Sequence, residues 1–200
     1  MSAQPDAKPA TSRGGRGARR RILAAATDLF YRQGINATGV ERLASEASVS
    51  KRTLYQHFPS KAAVVEEYLR LMQEGVGDLT QPAPDAPGDT ARGRLLALFD
   101  RPVVPGAPMR GCPFHNAAVE VAGTMPEVEH LVHTQKRTYI DGLTDLAKQA
   151  GAADPQLLGY QLAVLHEGAA ALATSLNDPA PWAHARAAAQ TLIDHAVQRP

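Results

Sequence analysis

The chain has 200 residues, 44% of them hydrophobic and 20% charged, with a formal net charge of +1 and one cysteine. That length supports one domain or two small ones; no apolar run is long enough to span a bilayer, nothing near the N-terminus has the apolar core of a signal peptide, and one thiol forms no internal disulfide, as in a cytoplasmic protein without membrane contact. The net charge hides an asymmetry: residues 1–60 hold ten Lys/Arg against four Asp/Glu, and residues 61–200 hold eleven against sixteen, which implies two jobs and a polyanionic partner for the first.

Residues 1–18 are rich in Ala, Pro, Gly, Ser and Arg without an apolar period and are expected to form a disordered basic tail. Beyond it every pattern is helical. Ile22, Ala26, Leu29 and Phe30 share one face of a first helix, and Gly34 ends it. Thr38 stands in cap position before a second helix carrying Val40, Leu43, Ala44 and Ala47. Ser50 caps a third, Lys51–Phe58, which Pro59 stops. Ser60 caps a fourth with Val64, Val65, Tyr68, Leu69 and Met72 inward. A Pro/Gly-rich connection, 77–90, precedes a fifth helix with Leu95, Leu96 and Phe99, and "RPVVPGAPMRG" breaks the chain again. A sixth helix starts near Pro113. Thr124 and Glu127 form a capping box before a long seventh. Asp154-Pro155 opens the eighth and Pro181 lies near the start of the ninth. The expected fold is all-α, with about nine helices.

In "ASVSKRTLYQHFPSK" two helices begin with a serine cap and a cation right behind it, Ser50-Lys51-Arg52 and Ser60-Lys61. Cations are disfavoured at that end, where unpaired N–H groups and the helix dipole are already positive. They become favourable when an external anion faces the helix end. Two short helices joined by the turn at Ala47–Ser50 have the spacing of a helix-turn-helix, whose second helix enters the major groove. Arg52, Thr53, Gln56 and His57 point outward, while Leu54 and Phe58 face in. Arg pairs with guanine and Gln with adenine, so Arg52 and Gln56 are the expected base readers. The bland alternative is the solvated face of an ordinary bundle.

"GINATGVERLASEASVSKRTLYQHFPSKAAVVEEYL" closely resembles the DNA-binding segment of TetR-type (TetR/AcrR) transcriptional regulators, over about Ile22–Leu69. The resemblance implies an N-terminal three-helix helix-turn-helix domain, 19–66, and a C-terminal helical ligand-binding and dimerisation domain, 67–200. It implies a dimer that binds a pseudo-palindromic operator and leaves it when a small molecule binds. By position, Thr38 and Gly39 would lie near phosphate, and Ser50, Lys51, Thr53, Tyr55, His57 and Lys61 would line the DNA face, Tyr55 through its hydroxyl. The family's turn usually has Gly where this chain has Ser48; a positive φ there would cost Ser about 1 kcal/mol.

The remaining two-thirds is less explicit. The Ala-rich eighth and ninth helices, near 155–176 and 181–197, suit a four-helix seam between two copies, or internal packing. Candidate pocket residues are Phe99, Cys112, Phe114, His115, Asn116, Glu120, Gln135, Tyr139, Tyr160 and His166, polar or aromatic types on otherwise apolar faces. Core packing is the alternative for each. Cys112 has three readings: a small buried hydrophobe, a thiol activated at a helix N-terminus beside Arg110 that senses oxidants or electrophiles, or a nucleophile with His115. His130 and His133 have metal-like spacing but fall opposite the apolar stripe. No metal, cofactor or turnover is expected, although a Cys-dependent enzyme and a sequence-indifferent architectural DNA binder are the rivals.

Overall fold

A computed structural model describes residues 16–76, 90–100 and 109–197. Most of the expected basic tail and of both Pro-rich connections lies outside the described residues. Within them the chain forms nine helices and no strand: α1 Arg16–Gln33, α2 Val40–Glu46, α3 Lys51–His57, α4 Lys61–Val76, α5 Ala91–Ala97, α6 Pro113–Glu120, α7 Pro126–Gln149, α8 Pro155–Leu176 and α9 Ala180–Val197.

The helices pack around two apolar clusters. In the first, Ile22, Leu29 and Phe30 of α1 meet Leu43, Leu54, Phe58, Val64 and Tyr68. Phe30 and Tyr68 meet edge-to-face at 5.5 Å between centroids, an arrangement favoured by the ring quadrupoles. The same cluster takes in Phe114, Ala117 and Val121 of the α6 segment and Val128 and Val132 of α7. The second cluster joins Leu95 and Phe99 to Leu143, Leu146, Leu158, Leu162, Ala189 and Ile193. The α7–α8 crossing is close because Gly159 has no side chain: a Cβ there would lie 2.9 Å from the Thr144 nitrogen.

Three local expectations need correction. Residues 16–18 belong to α1 rather than to a tail, and Ala18 is fully buried. A boundary at residue 66 would cut through α4, a continuous helix; α6 and the start of α7 also share a core with α1–α4. The capping box at Thr124 is absent. The residue preceding α7 is Met125, Thr124 Oγ1 donates back to the Val121 carbonyl at 2.8 Å, and Pro126 opens the helix. Proline lacks the N–H that a cap would have satisfied.

Candidate nucleic-acid interface

The turn between α2 and α3 is a Schellman closure. Ser48 N–H donates to the Ser45 carbonyl at 3.0 Å and Val49 N–H to the Ala44 carbonyl at 2.9 Å. Ser48 takes φ 51°, the left-handed region expected from the position. Val49 packs on the first cluster and fixes the exit direction. From α1, Arg21 Nε donates to the Ala47 carbonyl at 2.9 Å, occupying an acceptor that the end of α2 leaves unpaired. The serine caps form as the sequence implied: Ser50 Oγ accepts from Thr53 N–H and Ser60 Oγ from Ala63 N–H, each at 3.0 Å. Leu54 is buried and anchors α3, which turns its other side to solvent.

Of the residues expected on the DNA face, Gly39, Ser50, Lys51, Arg52, Tyr55 and Gln56 are exposed, and Thr53, His57 and Lys61 are half-buried. Thr38 departs from expectation. It is fully buried, and its hydroxyl donates to the Gly34 carbonyl at 2.8 Å. The cap of α2 is Gly39, without a side-chain hydrogen bond. Thr38 therefore holds the turn before α2 and offers no hydroxyl to a phosphate.

One of the two cations behind the serine caps also has an internal carboxylate. Lys51 Nζ pairs with Glu41 of the first turn of α2. The hydrogen bond to Lys51 holds the Glu41 carboxyl below its ordinary value, and the Lys51 ammonium is held above its own by Glu41. Burial lowers the pKa of Lys61, and the charge of Glu120 opposes that shift. The Lys51–Glu41 pair joins residues ten apart in sequence, which the local capping pattern could not register.

The ten candidate pocket residues do not line one cavity. Phe99, Tyr139 and His166 converge, and Trp182 completes the group, with centroids 6.0, 5.6 and 5.2 Å from that of His166. Sequence reasoning missed Trp182 as a site residue, although its spacing to Ala185 and Ala189 put it on the buried stripe of α9. Cys112 and His115 belong to a polar cluster around Glu167, whose Oε1 also lies 4.0 Å from His166 Nδ1. Lys136 Nζ lies 3.4 Å from Cys112 Sγ and 2.6 Å from Glu167 Oε1, and His115 Nδ1 is 3.9 Å from Glu167 Oε2. Lys136 is the cation beside the thiol. Arg110, expected in that place, donates from Nε to the Tyr31 carbonyl at 3.0 Å.

Phe114 is packed in the first core cluster, away from Phe99 in the second. Asn116 Nδ2 donates to the Arg110 carbonyl, and Glu120 bonds Asn36, so both tie backbone segments together. Gln135 is half-buried, and its Oε1 has no hydrogen-bond partner among the described residues. Tyr160 is 40% exposed and its hydroxyl lies 3.3 Å from Arg137 Nη1. A cleft of about 760 Å³ lies between α1 and α4, along Leu23, Thr27, Tyr31 and Leu71, and contains none of the ten. Among the described residues no group of three His, Cys, Asp or Glu could hold a metal, and no helix is long and apolar enough to cross a membrane.

The chain matches two family models: "Bacterial regulatory proteins, tetR family" over residues 22–68, and "Tetracyclin repressor-like, C-terminal domain" over 92–189. A TetR-family regulator from Streptomyces coelicolor has a similar solved structure, with TM-score 0.80 and 30% identity, covering 91% of this chain and 97% of that one. The activator FasR of Mycolicibacterium smegmatis is 38% identical over 41% of this chain and 37% of its own. The repressor KstR2 of Rhodococcus jostii is 31% identical over 68% of this chain and 62% of its own. The chain thus spans less than two-thirds of the length of either curated relative. The shared helix-turn-helix, the matched C-terminal domain and the near-complete structural overlap agree, and the chain belongs to the TetR family of DNA-binding transcriptional regulators.

Proposed function

We propose that the protein is a dimeric cytoplasmic repressor that grips a pseudo-palindromic operator through α2 and α3 and releases it when a small molecule occupies the C-terminal domain. The observation that carries this reading is the α2–turn–α3 unit. Its inward side is locked by Leu43, Leu54 and Val49, and its outward side presents Arg52, Tyr55 and Gln56 to solvent. In a helix-turn-helix that face meets the groove. Arg52 and Gln56 would read bases; Gly39, Ser50, Thr53, Tyr55, His57 and Lys61 would meet the backbone. Lys51 would exchange Glu41 for a phosphate.

Operator symmetry calls for two reading heads. A stripe of exposed apolar residues on α8, Leu157, Tyr160, Val164, Leu172 and Leu176, supports a seam between two copies. The Phe99, Tyr139, His166 and Trp182 group is the place assigned to the effector, since aromatic walls with a polar edge suit a small organic ligand. A ligand that weakens operator binding must itself bind more weakly to the operator complex. Selection of bound duplexes from a random pool tests the reading. An inverted repeat with half-sites about one helical turn apart is expected; enrichment of no sequence points to an architectural binder.

A second reading is favoured by one distance. Lys136 Nζ lies 3.4 Å from Cys112 Sγ, which puts a cation beside the thiol, so the same repressor would respond to oxidants or electrophiles at Cys112. Loss of operator binding on mild oxidation, abolished by Cys112→Ser, is the expected result; identical behaviour of the two proteins contradicts it.

A further inference from the structure

Glu120, the last residue of α6, sends its carboxylate out of its own domain. Oε2 accepts the backbone N–H of Asn36 at 2.9 Å, in the turn between α1 and α2. Asn36 Nδ2 returns a bond to the Glu120 carbonyl at 2.6 Å, one of the acceptors that the end of α6 leaves without an intrahelical partner. The same carboxylate sits where a side chain at residue 34 would be: a Cβ on Gly34 would lie 2.9 Å from Oε2 and 3.2 Å from Oε1, and Gly34 has φ +99°. Its charge also acts on Lys61, at the start of α4.

The held turn has little slack. Ile35 and Thr38 are buried, Thr38 Oγ1 bonds the Gly34 carbonyl, and the next residue, Gly39, begins α2. A shift of the α6 end is therefore passed to the start of α2, within one turn of the exposed reading face. At its other end, α6 begins at Cys112, against Lys136 of α7 and close to Glu167 of α8. Eight residues thus span from the ligand-domain polar cluster to the turn that leads into α2.

We propose that Glu120 is a positioning residue: by holding the α1–α2 turn through Asn36 and against Gly34, it sets the angle at which the C-terminal domain presents the α2–α3 unit. The inference rests on the operator reading above. A residue that merely stabilises the fold would lower affinity for every duplex alike; one that sets the angle fixes the preferred distance between half-sites.

The test uses the full chain and inverted-repeat duplexes built from the selected half-site, with the spacing varied one base pair at a time. Wild type is expected to show one sharp optimum. Glu120→Ala is expected to lose roughly tenfold at that optimum, a usual size for coupling between sites, and to flatten the spacing profile while binding an isolated half-site as wild type does. Glu120→Gln keeps an acceptor for Asn36 N–H and should restore much of the profile. Faster hydrogen exchange at the Asn36 amide in Glu120→Ala reports the broken latch directly. If Glu120→Ala does not fold, Asn36→Ala carries the same comparison. A wild-type spacing profile in folded Glu120→Ala, or in Asn36→Ala in its place, overturns the inference and leaves the operator reading intact. Absence of any spacing optimum in wild type overturns the operator reading, and the inference with it.

Discussion

Ser48 pays for the tightness of the α2–α3 turn with a left-handed backbone, φ 51°. A side chain there costs about 1–2 kcal/mol, against which glycine gains about 0.4–1 kcal/mol of chain entropy on unfolding. Ser48→Gly is accordingly expected to stabilise the protein by about 0.5–1 kcal/mol in denaturant titration; a lower midpoint at an unchanged slope contradicts this. Arg19 offers a second residue-level case. Its guanidinium lies 5.2 Å from the Phe58 ring centroid and 2.5 Å from Glu67 Oε1. The hydrogen bond from Arg19 is the largest influence on Glu67 and, with Arg70, holds its carboxyl below the ordinary value against the opposing effect of burial. Since the folded-state value is depressed, the pair's stabilisation is fully present above the unfolded carboxyl pKa and is lost as pH falls through the folded one. Both partners are partly exposed, so Arg19→Ala should cost no more than about 1 kcal/mol at neutral pH. Urea titrations across the acid range should show that difference shrinking toward the cation–π contribution; a gap that widens on acidification assigns the effect to something other than Glu67.

Elements were the most legible scale. Among the described residues nine helices follow from apolar spacing and breakers because amphipathic periodicity is written locally, and the Ser50 and Ser60 caps form where the residues put them. What stayed hidden joins distant stretches. Nothing local reveals that Glu41 answers Lys51, that Lys136 flanks Cys112, or that Trp182 closes on His166. Thr38 was misread because a hydroxyl before a helix looks the same whether it caps or turns back to Gly34. The α8 stripe makes an element-level prediction. Val164 is 69% exposed and Leu172 55%, and the nearby Gly168 has open space around it. A charge at either position would be buried in a two-copy seam without a partner. Val164→Glu and Leu172→Glu are each expected to convert the protein to monomers in sedimentation velocity while retaining wild-type helical content. Unchanged sedimentation of both variants places the seam elsewhere.

The whole molecule is organised by two cores that do not coincide with the division suggested by the DNA-binding resemblance. α6 and the start of α7 share the first core with α1–α4, while α5, most of α7, α8 and α9 form the second. The reading head is therefore seated on part of the C-terminal domain, and α7 crosses from one core to the other. Under the proposed function, this arrangement favours displacement of packed bodies over local unfolding as the route from effector to operator, because a packed interface has discrete arrangements. It also explains why the fold and the proposed DNA face are easier to read from sequence than a proposed pocket. The α2–α3 unit is contiguous in sequence, whereas the aromatic group draws on Phe99, Tyr139, His166 and Trp182 from segments far apart.

The central claim is that the exposed side of α3 and its flanking cap is where a duplex is held. Its most direct test is the salt dependence of operator affinity for wild type and for the Lys51→Ala, Arg52→Ala double variant. Each lost phosphate contact lowers the slope of log affinity against log salt by about 0.9. The expected result is a slope shallower by about one unit, from the phosphate contact of Lys51, with weaker binding at low salt and an unchanged thermal midpoint. A double variant with the wild-type slope and affinity would place the duplex on another surface and contradict the account.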